Sequence, residues 1–139
     1  MVKSERDLSI PSPIRDENSK IYFDAASEGR LMIKHCTTCN VYAAPVERYC
    51  GKCLTELQWE KASGKGKVFN WTIIHQAAHP GFMNETPYVI GTIELEENVR
   101  IFAKIPDVNP EELHIGMEVN AEFKRWPNGE YLPVFVRSK

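Results

Sequence analysis

The sequence predicts a mainly β protein in which an N-terminal helix leads into a rubredoxin-like zinc ribbon and then a five-stranded OB-fold barrel. Two Cys-x2-Cys pairs predict the ribbon, because two such knuckles supply the four thiolates of a tetrahedral zinc site. Five short segments rich in β-branched and aromatic residues predict the barrel. We expect a lead-in and helix over residues 1–33, the ribbon over 34–60 and the barrel over 61–139.

Residues 16–28 carry the pattern of a short helix. Asp16 suits the N-cap position, and Gly29 suits the residue that ends the helix. Apolar side chains, including Tyr22 and Phe23, crowd one side of this short element, so something must cover them. Either the ribbon or a partner subunit can do so, and the sequence leaves both alternatives open.

The cysteine pairs are Cys36 with Cys39 and Cys50 with Cys53, separated by residues 40–49. A two-residue gap lets both sulfurs of a tight turn face one point, and the linker is long enough for a short hairpin. We predict structural zinc; rubredoxin-type iron, disulfides and redox chemistry are the alternatives. Because all four thiolates would be ligands, no cysteine is left to act as a nucleophile.

The segments that follow the second cysteine pair show the alternation of strands. We expect Phe69, Trp71 and Ile73 to share one face of the first strand. A short turn of helix at residues 110–113 separates the third strand from the fourth, and an Asn-Gly turn at 128–129 joins the last two. The predicted strands are residues 65–75, 88–95, 99–105, 117–126 and 131–136.

Charge and hydropathy argue against several classes of protein. The chain holds 17 basic and 19 acidic side chains, whereas proteins that grip nucleic acid usually show a basic excess. No apolar run approaches the roughly 18 residues of a membrane span, and residues 1–7 lack the apolar core of a signal peptide. We therefore expect a cytoplasmic protein without membrane contact, whose residues 1–13 form an extended lead-in.

Several short motifs stand in a fixed order around and after the cysteine pairs. They are Ser63-Gly64-Lys65-Gly66-Lys67-Val68, Thr72-Ile73-Ile74-His75, His79-Pro80-Gly81-Phe82, Pro87-Tyr88-Val89, Gly91-Thr92-Ile93-Glu94-Leu95, Ile115-Gly116-Met117-Glu118-Val119 and Leu132-Pro133-Val134-Phe135. With the helix and the knuckles before them, they resemble the zinc-ribbon plus OB-fold proteins of acyl-CoA metabolism, a family once classed as a domain of unknown function. The likeness extends over nearly the whole chain from about residue 16.

This resemblance implies an accessory role beside a thiolase-fold enzyme. In such complexes the thiolase-fold chain supplies the catalytic cysteine and histidines, and the small protein bridges subunits or handles the acyl-CoA. The resemblance thus implies a thiolase-fold catalytic partner for C–C bond cleavage or formation, a heterotetramer built on the partner's two-fold axis, and a coenzyme A ester as a shared ligand. We expect no catalytic residue in this chain, which also lacks a Gly-x-Ser-x-Gly elbow.

Eight side chains are candidates for contact with acyl-CoA or the partner. Lys65, Lys67 and Arg48 could hold the phosphates of coenzyme A, although a solvated linker with scattered charge is the more ordinary explanation. The loop after the first barrel strand could reach the ligand or the partner through an apolar tip. The full set is Tyr22, Phe23, Arg48, Lys65, Lys67, His75, His79 and Phe82.

The spacing of His75 and His79 would place both on one face of a helix, but Pro80 and Gly81 follow directly, so a helix there is disfavoured. An ordinary loop and a loop that meets the acyl-CoA or the partner remain open, as does a second metal site.

Two further functions also remain open. One is a free-standing acyl-CoA-binding protein. The other is a nucleic-acid-binding ribbon and OB module, in which Trp71, Trp126 and Tyr131 would stack on bases. These aromatic residues could equally fill the barrel or face a subunit, and without a basic groove stacking alone would bind single strands weakly.

Overall fold

A computed structural model describes residues 10–138, and the mainly β fold class predicted from the sequence is confirmed. Most of the predicted lead-in, residues 1–9, lies outside the described residues. Within that described part, no helix combines the length and apolar character needed to cross a membrane. The elements are α1 (Lys20–Ser27), β1 (Met32–Cys36), β2 (Val41–Ala43), β3 (Gln58–Lys61), β4 (Lys65–Ile74), β5 (Tyr88–Leu95), β6 (Arg100–Lys104), β7 (Glu118–Arg125) and β8 (Tyr131–Arg137).

Helix α1 has Ser19 as its N-cap, three residues after the predicted Asp16. Asp16 still organises the entry to the helix. Its carboxylate accepts a 2.7 Å hydrogen bond from the Ser19 N–H, while the Ser19 hydroxyl accepts one of 3.0 Å from the Asp16 N–H. Tyr22 packs against the barrel core, and the helix contacts β8 and β1. The barrel and the ribbon of the same chain therefore cover part of its apolar side.

The ribbon is a three-stranded sheet in the order β2-β1-β3, so β1 is central and the other two strands are edges. β1 and β2 pair across the first knuckle, and an isolated bridge joins Tyr49 to Glu56 across the second. Residues 40–49, although long enough for a hairpin of their own, pair outward instead, because each knuckle itself reverses the chain and the pairing closes around it.

The barrel closes in the strand order β4-β5-β6-β8-β7, with β4 paired to both β5 and β7. All five predicted strands form, and the short turn of helix appears at Pro110–Glu112. Val68, Ile93, Val119 and Phe135 are almost completely buried in the core. Leu31 and Ile33 at the beginning of the ribbon and Ala62 at its end are buried in this same cluster. The ribbon and the barrel therefore share one core.

A β-bulge directly after Val68 changes which side chains of β4 face the core. Val68 is buried, and beyond the bulge Trp71 and Ile73 pack against the core. Phe69 does not share their face, as the strand alternation had suggested, because the extra residue of the bulge breaks the period of two. Phe69 is instead 39% exposed, and the guanidinium of Arg100 covers its ring at 3.8 Å.

Candidate metal centre and neighbouring surfaces

The four cysteines of the two knuckles converge on one point. Their Sγ atoms all lie within 4.8 Å of one another, and those of Cys36 and Cys53 are 3.5 Å apart. A tetrahedral zinc ion with bonds of roughly 2.3 Å would separate its sulfurs by about 3.8 Å. The cluster therefore fits a four-coordinate ion. Cys36 and Cys50 are buried, whereas Cys53 lies at the surface.

Backbone N–H groups point at the sulfurs in both knuckles. The N–H of Cys39 donates to Cys36 Sγ at 3.3 Å, and the N–H of Lys52 donates to Cys50 Sγ at 3.4 Å. Hydrogen bonds of this kind stabilise the thiolate, which is the form that binds a metal ion. The tight turns thus prepare the sulfurs as ligands.

The residue that follows each second cysteine has a left-handed backbone. Asn40 has a φ of 53° and Leu54 a φ of 63°. Asparagine tolerates this conformation, but a leucine side chain crowds the following carbonyl oxygen. Leu54 is also 76% exposed, so little packing offsets the strain.

The thiols of the cluster differ in pKa because they share hydrogen bonds. The hydroxyl and the backbone N–H of Thr55 lower the pKa of Cys53 to about 6, with Thr55 Oγ1 3.1 Å from the sulfur. Backbone N–H groups of Cys53 and Lys52 lower the pKa of Cys50. Hydrogen bonding to Cys53, followed by burial, raises the pKa of Cys39 to about 12. A cation at the centre would offset the repulsion among thiolates and let all four ionise.

Thr55 is a neighbour of the cysteine cluster that the sequence analysis missed, although a hydroxyl residue two positions after the last cysteine was a usable signal.

Among residues 10–138, the four cysteines are the one group of histidine, cysteine and carboxylate side chains arranged to hold a metal ion. His75 and His79 therefore form no second metal site with other described residues.

The basic candidates do not converge on one surface. Lys65 and Lys67 line a groove of about 650 Å³ together with Glu94, Glu96 and Glu118. Three carboxylates against two ammonium groups leave no positive excess for a phosphate. Arg48 lies in a different groove of about 280 Å³ between α1 and β3.

The loop between β4 and β5 is folded back onto the barrel. His79 caps a 3-10 turn at Pro80–Phe82, because its Nδ1 accepts a 2.9 Å hydrogen bond from the Gly81 N–H. The ring of Phe82 lies 6.0 Å from that of Trp126 and 6.2 Å from that of Tyr88. Of the apolar side chains at the tip of this loop, Phe82 is therefore partly buried against the barrel, while Met83 is 64% exposed. His75 is exposed just after β4.

The two tryptophans considered for base stacking lie in different environments. Trp71 packs against the barrel core, whereas Trp126 contacts Phe82 and lies under the ammonium group of Lys104 at 5.2 Å. On the helix, Tyr22 meets Phe23 edge to face at 5.3 Å, and burial raises the pKa of Tyr22 to about 12. Tyr22 is therefore turned inward, and the guanidinium of Arg15 lies over the ring of Phe23 at 5.6 Å.

A four-cysteine ribbon that shares its core with a closed five-stranded barrel defines this chain as a ribbon-and-barrel protein of the OB class. Residues 59–124 match the family model described as "ChsH2, C-terminal OB-fold domain". The chain belongs to the DUF35 domain family.

Relatives in archaea and bacteria bear different names. A "DUF35 domain-containing scaffold protein" of Methanocaldococcus jannaschii is 42% identical over 92 residues, which is 65% of this chain and 64% of the relative. One of the same name in Methanothermobacter thermautotrophicus is 32% identical over 92 residues, 65% of this chain and 68% of its own. A "Probable enoyl-CoA hydratase alpha subunit" of Thermomonospora curvata is 31% identical over 127 residues, 90% of this chain but 39% of the relative.

The fold also matches a solved structure titled "Ltp2-ChsH2(DUF35) aldolase", with a TM-score of 0.80 and 29% sequence identity. That similarity covers 91% of this chain and 98% of the matched chain. The chain therefore spans nearly the whole of one solved relative but less than two thirds of the first two curated ones.

Proposed function

We propose that this protein is a zinc-binding, non-catalytic subunit of a cytoplasmic, thiolase-type acyl-CoA enzyme complex. The observation that carries the proposal is the convergence of all four cysteine sulfurs on one point that could hold a metal ion. Thiolase-type acyl transfer needs a nucleophilic thiolate, general bases and an oxyanion hole. With its thiolates committed to metal, this chain leaves the covalent chemistry to a partner.

The names of the relatives support an accessory role. Two are called scaffold proteins, one is called a hydratase subunit, and the solved relative carries the name of an aldolase with a second component. We propose a thiolase-fold catalytic partner and a heterotetramer, because a partner dimer would present two equivalent docking surfaces.

The metal's proposed task is structural. Four thiolate ligands close the coordination sphere of zinc and leave no open position for a substrate. Ile33 lies within β1, Leu31 directly precedes β1 and Ala62 directly follows β3, and all three belong to the same core as the barrel. Zinc binding would therefore fix the ribbon against the barrel and present one rigid surface to the partner.

Handling of the acyl-CoA is proposed as a task shared with the partner. Lys65 and Lys67 share their groove with three glutamates, and Arg48 stands apart. The phosphates of coenzyme A would then be held mainly by basic groups of the partner, while the loop with His79 and Phe82 contributes apolar contact.

The deciding experiment is native purification of the tagged full chain from its own cells, with mass spectrometry and light scattering on a sizing column. We expect a thiolase-fold enzyme at a fixed equimolar ratio, with thiolysis or condensation in the complex and none in the separated chain. A chain that elutes alone and binds coenzyme A in a calorimeter would support the free-standing carrier instead. Co-elution with nucleic acid would support the nucleic-acid module.

A further inference from the structure

A groove of about 680 Å³ runs between the ribbon and the barrel. One wall is β2 with the linker that follows it, where Tyr42, Glu47 and Tyr49 line the space. The other wall is the turn between β5 and β6 with its flanking residues Glu94 and Arg100. It adjoins the groove that holds Lys65 and Lys67, with which it shares Glu94 and Asn98 at the β5–β6 turn.

The ribbon wall offers a free strand edge. β2 pairs with β1 on one side, and within residues 10–138 no strand pairs with its other side. Alternate backbone N–H and C=O groups of such an edge lack a ladder partner and can accept an added strand. The five barrel strands instead follow one another in a closed order, in which β6 meets β8 at the single pair of Lys104 with Val134.

The segments that line the groove also carry exposed apolar side chains, of which Tyr49 lines the groove itself. Tyr49 is 54% exposed and Val46 is 74% exposed on the ribbon side. On the barrel side, Phe102 is 79% exposed and shares the outer face of β6 with Arg100, which stacks on Phe69. Tyrosine, phenylalanine and arginine are enriched where proteins bind proteins, and large exposed apolar groups that lie close together mark such surfaces.

The charge of the groove decides among ligands. Its charged side chains are Glu47, Glu94 and Arg100, and the Arg100 guanidinium is already paired with Glu94 at 3.1 Å. Glu47 is left with an exposed carboxylate, so the groove carries a net negative charge. A phosphate-bearing ligand would be repelled, whereas a lysine or arginine side chain would be attracted.

We propose that this groove binds an extended, basic segment of the partner protein, which adds to β2 as a fourth strand of the ribbon sheet. The segment would pack apolar side chains against Tyr49 and Phe102 and place a lysine or arginine beside Glu47. This inference rests on the proposed function, since it requires a protein partner. It adds the place on this chain where the partner binds and the interactions that hold it.

The test uses the partner recovered from the native complex and identified by mass spectrometry, titrated against variants of the full chain. The groove variant combines Tyr49→Ala with Glu47→Gln. The matched control combines Ile115→Ala with Glu111→Gln, which also removes one exposed apolar group and one exposed carboxylate but lies at the 3-10 turn near residues 110–112. We expect at least tenfold weaker binding for the groove variant and less than a twofold change for the control.

If the Tyr49 variant loses its metal or no longer unfolds cooperatively, Phe102→Ala is used in its place. Phe102 lies on β6 of the barrel, so its substitution should leave the ribbon folded. A photoreactive phenylalanine at position 49 should cross-link a partner peptide that contains lysine or arginine, and one at position 115 should not. A synthetic peptide of that segment should then bind the wild-type chain and lose at least tenfold in affinity for the groove variant.

The possible failures are distinguishable. If the wild-type chain recovers no enzyme partner, the proposed function fails and this inference fails with it. If the partner binds wild type and the groove variants equally, only the groove assignment is overturned. Cross-links to a second copy of this chain, or displacement of the peptide by millimolar coenzyme A, would also overturn it.

Discussion

The ammonium group of Lys34 donates a 2.6 Å hydrogen bond to the backbone carbonyl oxygen of Glu47. Lys34 is only 3% exposed, and its Nζ also donates to Asn18 Oδ1 at 3.3 Å and lies 4.4 Å from the ring centre of Trp59. Burial, followed by the nearby charge of Arg48, lowers its pKa. One buried lysine thus ties together the entry to α1, the linker between the cysteine pairs, and β3.

Lys34→Met should test this tie. Methionine keeps an apolar stem of similar length but leaves the Glu47 carbonyl without its charged donor, which we expect to cost about 1–3 kcal/mol in the free energy of unfolding. Urea titration measures the change. Lys61→Met, at an exposed position of β3, should stay within about 0.5 kcal/mol. Equal stabilities for the two variants would contradict the assignment.

Cys36→Ser should abolish stoichiometric zinc binding and unfold the ribbon, because a closed four-thiolate site loses a buried ligand. Elemental analysis measures the metal, and amide hydrogen exchange in β1 and β2 reports the ribbon. Thr37→Ser changes an exposed residue of the same knuckle and should keep one zinc per chain. A full equivalent of zinc in the Cys36 variant would show that the ligand set is wrong.

Tyr22 should make the folded protein sensitive to alkaline pH. Its pKa is raised from 10.0 to about 12 by burial, so the folded chain keeps this proton while the unfolded chain loses it. The associated stability is complete below pH 10 and is lost as pH rises toward 12, by up to about 2–3 kcal/mol.

Unfolding free energies at pH 9 and pH 11.5 check this expectation. Tyr22→Phe should lose less stability between the two values than wild type does, while Tyr49→Phe, at an exposed ring, should behave as wild type. Identical pH dependence in wild type and Tyr22→Phe would rule out the buried phenol as the cause.

Leu54→Gly should stabilise the second knuckle. Glycine adopts the φ of 63° without the side-chain clash, which we expect to raise the free energy of unfolding by about 0.5–1 kcal/mol after the entropy cost of glycine. Leu54→Ala keeps the Cβ atom and should show no gain, so the pair separates backbone strain from side-chain contact. A gain in both variants under urea would point to another cause.

Much of the fold followed from local patterns. Each barrel strand is at least five residues long, and the Asn-Gly turn fixes one hairpin, so neighbouring residues contained the information. The helix boundary moved to Ser19 because Asp16 caps a preceding turn rather than the helix itself. Phe69 was misplaced because a single inserted residue in β4 reverses the alternation, and no composition signal marks a bulge.

The cysteine spacing by itself predicted the cysteine cluster, since two residues between thiols leave a tight turn with both sulfurs on one side. Only the tertiary structure decided the surroundings. It placed carboxylates beside Lys65 and Lys67, buried Lys34, and set Tyr49 across a groove from Arg100. The physical reason is range: a knuckle or a hairpin depends on residues a few positions apart. The charge and shape of a groove depend instead on segments far apart in the chain, which meet only when the ribbon and the barrel bury a common core.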